Sequence, residues 1–209
     1  MKRILLFKHW LNKSTKNKFE KSKKISVSAV SHKLGVTHLC LCLANFLSSA
    51  LKKSVLYIEL SDDSQLLGFV GEHQTKYKGI TCYKYKDVVY ALGCDTTLGT
   101  FLVNEWDGYV IIDFDKLTPE NASIYNQCDK QILIGSFMPW CKRDVYRFIN
   151  KMKGVIDMKK VDLLSKSKEV NATNILVEEK KDPIKDLPII DDPFHLKESD
   201  FEALFQLIE

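Results

Sequence analysis

The chain has 209 residues, of which 45% are hydrophobic and 28% charged, and its net charge is +4. This composition is typical of one soluble globular domain, with room for tails. No apolar run approaches the ~20 residues of a membrane span, and the run at residues 4–7 is too short for the core of a signal peptide. We therefore expect a chain that folds in the cytoplasm.

The six cysteines contain no C-x-x-C pair, and two of them fall inside a predicted helix. Without a secretion signal, we interpret them as reduced cytosolic thiols. The metal alternative is weak, because none of the five histidines stands at a ligand-like spacing from a cysteine.

The first 24 residues differ in charge from the rest of the chain. They hold nine basic residues and one acidic residue, a net charge of +8, so the remainder carries −4. In a helix, Ile4, Phe7 and Leu11 would share a face, with Trp10 beside it. Such a segment can lie on an anionic membrane surface or dock on a partner. A solubilising tail and nucleic-acid binding are the alternatives. We expect residues 1–23 to precede an α/β domain at residues 24–209.

The pattern of residues 24–60 predicts one strand–loop–helix–strand unit. An apolar strand at residues 25–30 is followed by a turn at 31–35, a helix at 37–51 and a second strand at 54–60. The first N–H groups of a helix have no partner within it, so a loop that opens a helix is where a phosphate would bind.

The next elements are shorter. Asp62 is predicted to cap a helix at residues 65–70. Alternation then predicts a hairpin or an edge strand from residues 80–85 and 88–92. Its alternating lysines and tyrosines resemble a nucleic-acid surface, but we favour protection of a sheet edge against further pairing. A helix at residues 96–104 follows.

The strand predicted at residues 109–114 is apolar throughout, as in a central strand buried on both faces. Asp113 lies at its carboxyl end, where open α/β sheets bind ligands. It is our candidate catalytic residue, although the same carboxylate could cap the following loop; Asp115 is weaker. The remaining predictions are helices at 120–128 and 144–152, strands at 131–136, 161–164, 175–177 and 187–190, and a last helix to 208, capped by Ser199 or Asp200. Together they predict a three-layer αβα domain with a mostly parallel sheet.

Three stretches carry a resemblance to a known family. Residues 35–38 read Gly-Val-Thr-His where the MinD/ParA group of P-loop ATPases has Gly-Lys-Thr-Thr. Residues 55–60 resemble its second strand, and residues 109–113 its Walker B strand. The chain from Lys24 onward resembles most the TadZ/CpaE pilus-positioning branch. This resemblance implies ATP or ADP binding with Mg²⁺, in which Thr37 and Asp113 are the metal-side residues.

The phosphate-binding motif departs from the family pattern. The pattern G-x-x-x-x-G-K-[ST] uses its lysine on the β- and γ-phosphates and its Ser/Thr on Mg²⁺. Here Val36 replaces that lysine, Val30 replaces the first glycine, and Ser31 replaces the additional lysine of MinD-type loops. Lys33 is a partial substitute. The residues implied to contact the cofactor are Ser31, His32, Lys33, Leu34, Gly35, Val36, Thr37 and His38.

Phosphoryl transfer depends on positioning and on charge neutralisation, so a loop without these lysines predicts weak or absent hydrolysis. The resemblance implies a pseudo-ATPase scaffold that dimerises across the nucleotide and localises a pilus or secretion machine at the inner membrane surface. An active ATPase that uses Lys33 or a partner's cation is one alternative. A protein-interaction module without nucleotide is the other. Nucleic acid is a less favoured partner.

Overall fold

The computed structural model describes residues 23–167 and 184–209. Within them the strands are β1 (Lys24–Ala29), β2 (Val55–Leu60), β3 (Gln74–Tyr77), β4 (Ile80–Tyr85), β5 (Val88–Ala91), β6 (Tyr109–Phe114), β7 (Lys130–Gly135), β8 (Val161–Ser165) and β9 (Lys185–Asp186). The helices are α1 (Val36–Asn45), α2 (Leu67–Val70), α3 (Thr96–Glu105), α4 (Ala122–Asn126), α5 (Lys142–Met152) and α6 (Glu198–Ile208). A π-helical turn, Phe46–Ala50, continues α1.

The nine strands of the described residues form one sheet in the order β3-β4-β5-β2-β6-β1-β7-β8-β9. From β5 to β9 all neighbours pair parallel, whereas β3, β4 and β5 pair antiparallel. The connection from β1 leads to β2 on one side, and the connection from β6 leads to β7 on the other. This reversal opens a crevice at the carboxyl ends of β1 and β6, which is the usual ligand position in such sheets.

Helices cover both faces of the sheet, because side chains alternate between the faces along each strand. On one face, α1 and α6 pack on β1, β2 and β6 through Ile25, Val27, Leu43, Tyr57, Ile111 and Leu204. On the other, α3, α4 and α5 pack through Leu56, Ile58, Leu102, Ile112, Ile124 and Phe148. The three-layer αβα architecture and the mostly parallel sheet are therefore confirmed.

Most predicted elements are present, several within a residue or two of the expected bounds. The central strand at 109–114 has the predicted bounds. The predicted hairpin is β4 and β5, but β3 extends it and was not predicted. The helix predicted at 120–128 is only Ala122–Asn126. Residues 1–22 and the strand predicted at 175–177 lie outside the described residues.

Two predictions at the chain's surface are wrong. Residues 187–190 form no strand: Pro188 has no N–H to donate, and the Ile189 side chain is 81% exposed. The short strand β9 precedes them instead. Asp62 does not cap the next helix, because α2 begins later, at Leu67, with Leu66 as its N-cap.

Neither Ser199 nor Asp200 is the N-cap of the last helix, contrary to the prediction. At α6 the N-cap is Lys197, and Asp200 acts from inside the first turn, accepting a hydrogen bond from the Lys197 N–H at 2.8 Å. All six cysteines lie among the described residues, and none of them is in a disulfide. Among the described residues, no helix has both the length and the apolar surface that crossing a bilayer requires.

Candidate functional site

The loop between β1 and α1 ends in a backbone conformation that favours glycine. Gly35 has φ +102°, in the left-handed region, and a Cβ added there would meet only the Leu187 side chain, at 3.9 Å. The constraint is therefore the backbone angle and not space. Lys33 also has a positive φ, 61°. α1 begins directly after Gly35 and has no side-chain cap, so its first N–H groups face the crevice without a side-chain acceptor.

Asp113 lies beside this loop, at the carboxyl end of β6, and is 2% exposed. The Tyr57 hydroxyl donates a hydrogen bond to its Oδ2 at 2.5 Å. The Thr37 hydroxyl, in the first turn of α1, lies near enough to the same carboxylate to favour its charged form. The structure thus brings together the two residues predicted on the metal side and adds a buried tyrosine to them.

The pKa of Asp113 is raised from 3.8 to about 6, because burial penalises the charged form more than the nearby hydroxyls of Tyr57 and Thr37 favour it. Burial raises the pKa of the Tyr57 phenol well above its usual value, and the nearby charge of Asp113 raises it further. The Cys40 thiol, also buried, likewise has a strongly raised pKa and stays neutral. A carboxylate this buried is costly unless something uses its charge.

A second buried carboxylate lies next to Asp113 in the sheet. Glu59 on β2 pairs in register with Asp113 and is 5% exposed. Burial raises its pKa, and the N–H groups of Gly93 and Gln65 partly offset this. Within the described part of the chain its Oε2 has no hydrogen-bond partner. The sequence did not single out Glu59 as a site residue, although it is the one charged residue in the otherwise apolar strand β2.

The other predicted cofactor residues are divided by the structure. The loop itself contains half-buried Ser31 and exposed Lys33, and half-buried Val36 follows it at the start of α1. Leu34 is buried in the core. The His32 ring lies 3.9 Å from Asp115, between Nδ1 and Oδ1. The His38 ring instead donates from Nε2 to the Ile190 carbonyl at 2.8 Å. His38 therefore fastens the segment after β9 to α1.

One residue that the sequence did not flag also reaches the loop. Lys166 follows β8, and its ammonium donates to the Lys33 carbonyl at 3.0 Å. Because 133 positions separate the two residues, no local pattern could have revealed the contact. Tyr57 had a weak signal, since it is a polar-tipped residue inside an otherwise apolar strand.

The donor set suits a magnesium nucleotide in part. Thr37 and Asp113 supply hydroxyl and carboxylate oxygens, the ligands that Mg²⁺ prefers. Asp113 already accepts a hydrogen bond from Tyr57 and is buried, which suits contact through water. In the described residues no three His, Cys, Asp or Glu side chains form a metal cluster by themselves. The fit fails at Val36 and Ser31, which have no charge to offer a phosphate.

A cavity of about 430 Å³ lies far from these residues. It opens at the amino-terminal edge of the sheet, where β7 and β8 begin, and is lined by Asn126, Gln131, Gly154, Val155, Ile156, Asp157 and Lys160. No predicted site residue contributes to it. The chemistry of the crevice, and not the size of this cavity, therefore selects the candidate site.

Comparison with known proteins supports the fold. No family model and no curated protein sequence matches the chain. Solved structures do match. A putative plasmid partition protein from Borrelia burgdorferi B31, bound to AMPPNP, gives a TM-score of 0.63 at 14% identity, covering 90% of this chain and 97% of that one. A ParA family ATPase from Chlorobium tepidum TLS gives 0.60 at 10% identity, covering 90% of each chain.

A third similar structure is the MinC:MinD cell division protein complex from Aquifex aeolicus. It gives a TM-score of 0.56 at 18% identity, covering 80% of this chain and 83% of that one. At these identities the likeness shows the fold alone: the chain has the P-loop, MinD/ParA-like α/β fold.

Proposed function

We propose that this protein is a nucleotide-binding scaffold of the MinD/ParA type that binds ATP or ADP with Mg²⁺ weakly and hydrolyses little or none. The observation that carries the proposal is the buried Asp113 carboxylate, which accepts a hydrogen bond from Tyr57 and lies near Thr37 in the first turn of α1, beside the Gly35 loop. A helix N-terminus stabilises phosphate, and an adjacent hydroxyl–carboxylate pair supplies oxygens for a divalent cation.

In this proposal each residue of the site has one task. The N–H groups at the start of α1 hold the phosphates, and Gly35 gives the loop its left-handed turn. Thr37 and Asp113 would hold Mg²⁺, which supplies charge neutralisation when bound. Tyr57 orients the Asp113 carboxylate through the hydrogen bond from its hydroxyl. The Val36 side chain has no donor group and no charge to offer a phosphate oxygen. The transition state therefore lacks the cation that the motif normally provides.

Calorimetric titration of the full chain with ATP tests the binding proposal. We expect weak binding that strengthens with Mg²⁺ and that loses this Mg²⁺ dependence in Asp113→Ala. A flat titration of a protein whose circular dichroism shows an intact fold would end the nucleotide proposal. It would leave the alternative of an interaction module.

Phosphate release tests the enzymatic alternative. We expect no significant ATP turnover by the isolated protein. Steady phosphate release that disappears in Asp113→Ala would instead establish an active ATPase in which Lys33, or a cation from a partner, replaces the missing lysine.

The biological setting is proposed from the resemblance of the sequence. The likeness of residues 24–209 to the TadZ/CpaE branch supports a scaffold that localises or assembles a pilus or secretion machine at the inner face of the cell membrane. That one similar solved structure is a complex of MinD with MinC supports a protein partner for this chain. A homodimer formed across the nucleotide is the assembly we propose.

The first 24 residues are proposed as a peripheral membrane contact. Each basic residue near an anionic surface contributes on the order of 1 kcal/mol, decreasing within a Debye length. The full chain should therefore sediment with anionic vesicles at low salt, and a chain starting at Lys24 should not. Equal sedimentation of the two, or none, would assign this segment to solubility or to partner docking.

A further inference from the structure

Backbone hydrogen bonds fix the position of Lys166 near the loop after β1. β8 pairs with β7 up to Gly135 and Ser165, and the Lys166 N–H donates to the Gly135 carbonyl at 2.9 Å. The Ser165 hydroxyl donates to the Ser167 carbonyl at 2.6 Å and accepts from the Ser167 N–H at 3.2 Å. These bonds fix the backbone on both sides of Lys166, so the origin of its side chain is fixed relative to the sheet.

The Lys166 side chain crosses from β8 to the loop after β1, although β7 separates the two strands. Its ammonium donates to the Lys33 carbonyl at 3.0 Å, and the residue is exposed. An ammonium has three N–H donors, so two remain for another acceptor. The geometry thus presents a positive charge at the loop without burying it.

The loop needs such a charge. Phosphate binding by a loop relies on backbone N–H groups together with a lysine, and the motif position of that lysine is Val36. Lys33 stands in the loop itself and is exposed, as Lys166 is, and it contacts Lys166 through its carbonyl and not through its ammonium. Of the two lysines, Lys166 is the one whose ammonium has an observed contact with the loop.

We propose that Lys166, directly after β8, supplies the phosphate-binding cation that is missing at the Val36 position of the loop. This inference rests on the proposed nucleotide site and adds a specific residue to it. The ligand it selects is a nucleoside di- or triphosphate. A nucleoside monophosphate or a nucleoside presents less charge to Lys166 and gains less from it.

The experiment compares the full chain with Lys166→Gln, Lys33→Gln and Lys160→Gln, titrated with MgATP, ADP and AMP. Lys160 is exposed and directly precedes β8, at the opposite edge of the sheet, so it controls for loss of one positive charge. Hydrogen bonds to a charged group contribute enough for a tenfold to hundredfold change in affinity, on the order of magnitude given by mutational series. We expect a loss of about that size for MgATP in Lys166→Gln, a smaller loss for AMP, and none in Lys160→Gln.

The outcomes separate the two proposals. If the unchanged protein binds MgATP and Lys166→Gln binds it equally well, the role of Lys166 is overturned and the nucleotide site stands. A loss confined to Lys33→Gln also overturns it. If the unchanged protein binds none of the three nucleotides, the proposed function fails, and this inference fails with it. Circular dichroism of each variant excludes loss of the fold as the cause.

Discussion

The two halves of the candidate site differ in how firmly the protein builds them. In the half around Asp113, a carboxylate that is 2% exposed is held by Tyr57 and Thr37. In the half formed by the loop after β1, Lys33 and Lys166 are exposed and Val36 replaces the motif lysine. The first half keeps a buried charge at a cost to stability. In the second half, the cation that we propose comes from Lys166, on a different strand connection from the loop.

This difference indicates what the site is able to do. A buried carboxylate without a counter-ion lowers stability, so its presence beside a helix N-terminus favours a binding role over a structural one. The exposed half is screened by solvent, which suits modest affinity and poor stabilisation of transferring charge. Binding without efficient turnover is the combination expected when only the first half is intact.

The largest expected effect is on stability, in Asp113→Asn. Below pH 3.8 the Asp113 side chain is protonated in both the folded and the unfolded chain and has no pH-dependent cost. Between 3.8 and about 6 the unfolded chain releases the proton first, so this group makes stability decrease as pH rises; above about pH 6 its full cost is reached. A difference from 3.8 to about 6 corresponds to about 3 kcal/mol at most.

We therefore expect Asp113→Asn to raise the free energy of unfolding at pH 7.5 by up to about 3 kcal/mol, and to change it little at pH 3.5. Urea denaturation of the nucleotide-free protein at the two pH values measures this. Asp107→Asn is the control, since Asp107 is exposed, lies before the start of β6 at the end opposite to Asp113, and is not among the charges that raise the Asp113 pKa. It should show no such dependence. Destabilisation by Asp113→Asn at pH 7.5 would mean that the fold needs the charge.

More of the half around Asp113 than of the half formed by the loop after β1 could be located from the sequence. The apolar run at residues 109–114 identifies a central parallel strand, and topology then carries Asp113 to the crevice. Gly35 and Thr37 were identified by their match to the Gly-Lys-Thr-Thr of the family motif. Lys166 was missed, since its contact with Lys33 joins residues far apart in sequence.

Errors elsewhere follow the same rule. The apolar run at residues 187–190 has the composition of a strand, yet Leu187 donates its N–H to the Ser165 carbonyl at 2.8 Å and Pro188 then ends the possible ladder. Ile190 is held instead through its carbonyl, by His38. Tertiary partners decide such short segments, and periodicity alone does not reveal them.

The second expected effect is a gain of affinity in Val36→Lys, which would strengthen the weak half. Val36 is half-buried at the start of α1, where a lysine stem can pack while its ammonium reaches the crevice. We expect MgATP affinity to rise about thirtyfold, or about 2 kcal/mol, against a small loss of stability from a cation near a helix N-terminus.

Val36→Met is the matched control, because it lengthens the side chain without adding charge. Calorimetry with MgATP measures both variants. Equal affinities in Val36→Lys and the unchanged protein would mean that the start of α1 does not face the phosphates. The strengthened loop should also make Lys166→Gln less harmful, since the two cations would serve the same ligand.

The smallest expected effect separates Tyr57 from its neighbour. Tyr57→Phe removes the hydroxyl that donates to Asp113 at 2.5 Å while keeping the ring, which stacks on Tyr90 with centroids 5.2 Å apart. We expect a loss of about 1 kcal/mol at pH 7.5, because the buried Asp113 carboxylate loses a donor and its pKa rises further. Tyr90→Phe is the matched control: Tyr90 is fully buried, and within the described residues its hydroxyl has no hydrogen-bond partner. Its removal should be neutral or stabilising.

In an Asp113→Asn background the cost of Tyr57→Phe should shrink, because the hydroxyl then serves a neutral amide. Equal costs in the two backgrounds would show that Tyr57 stabilises the core by packing and does not hold the charge of Asp113.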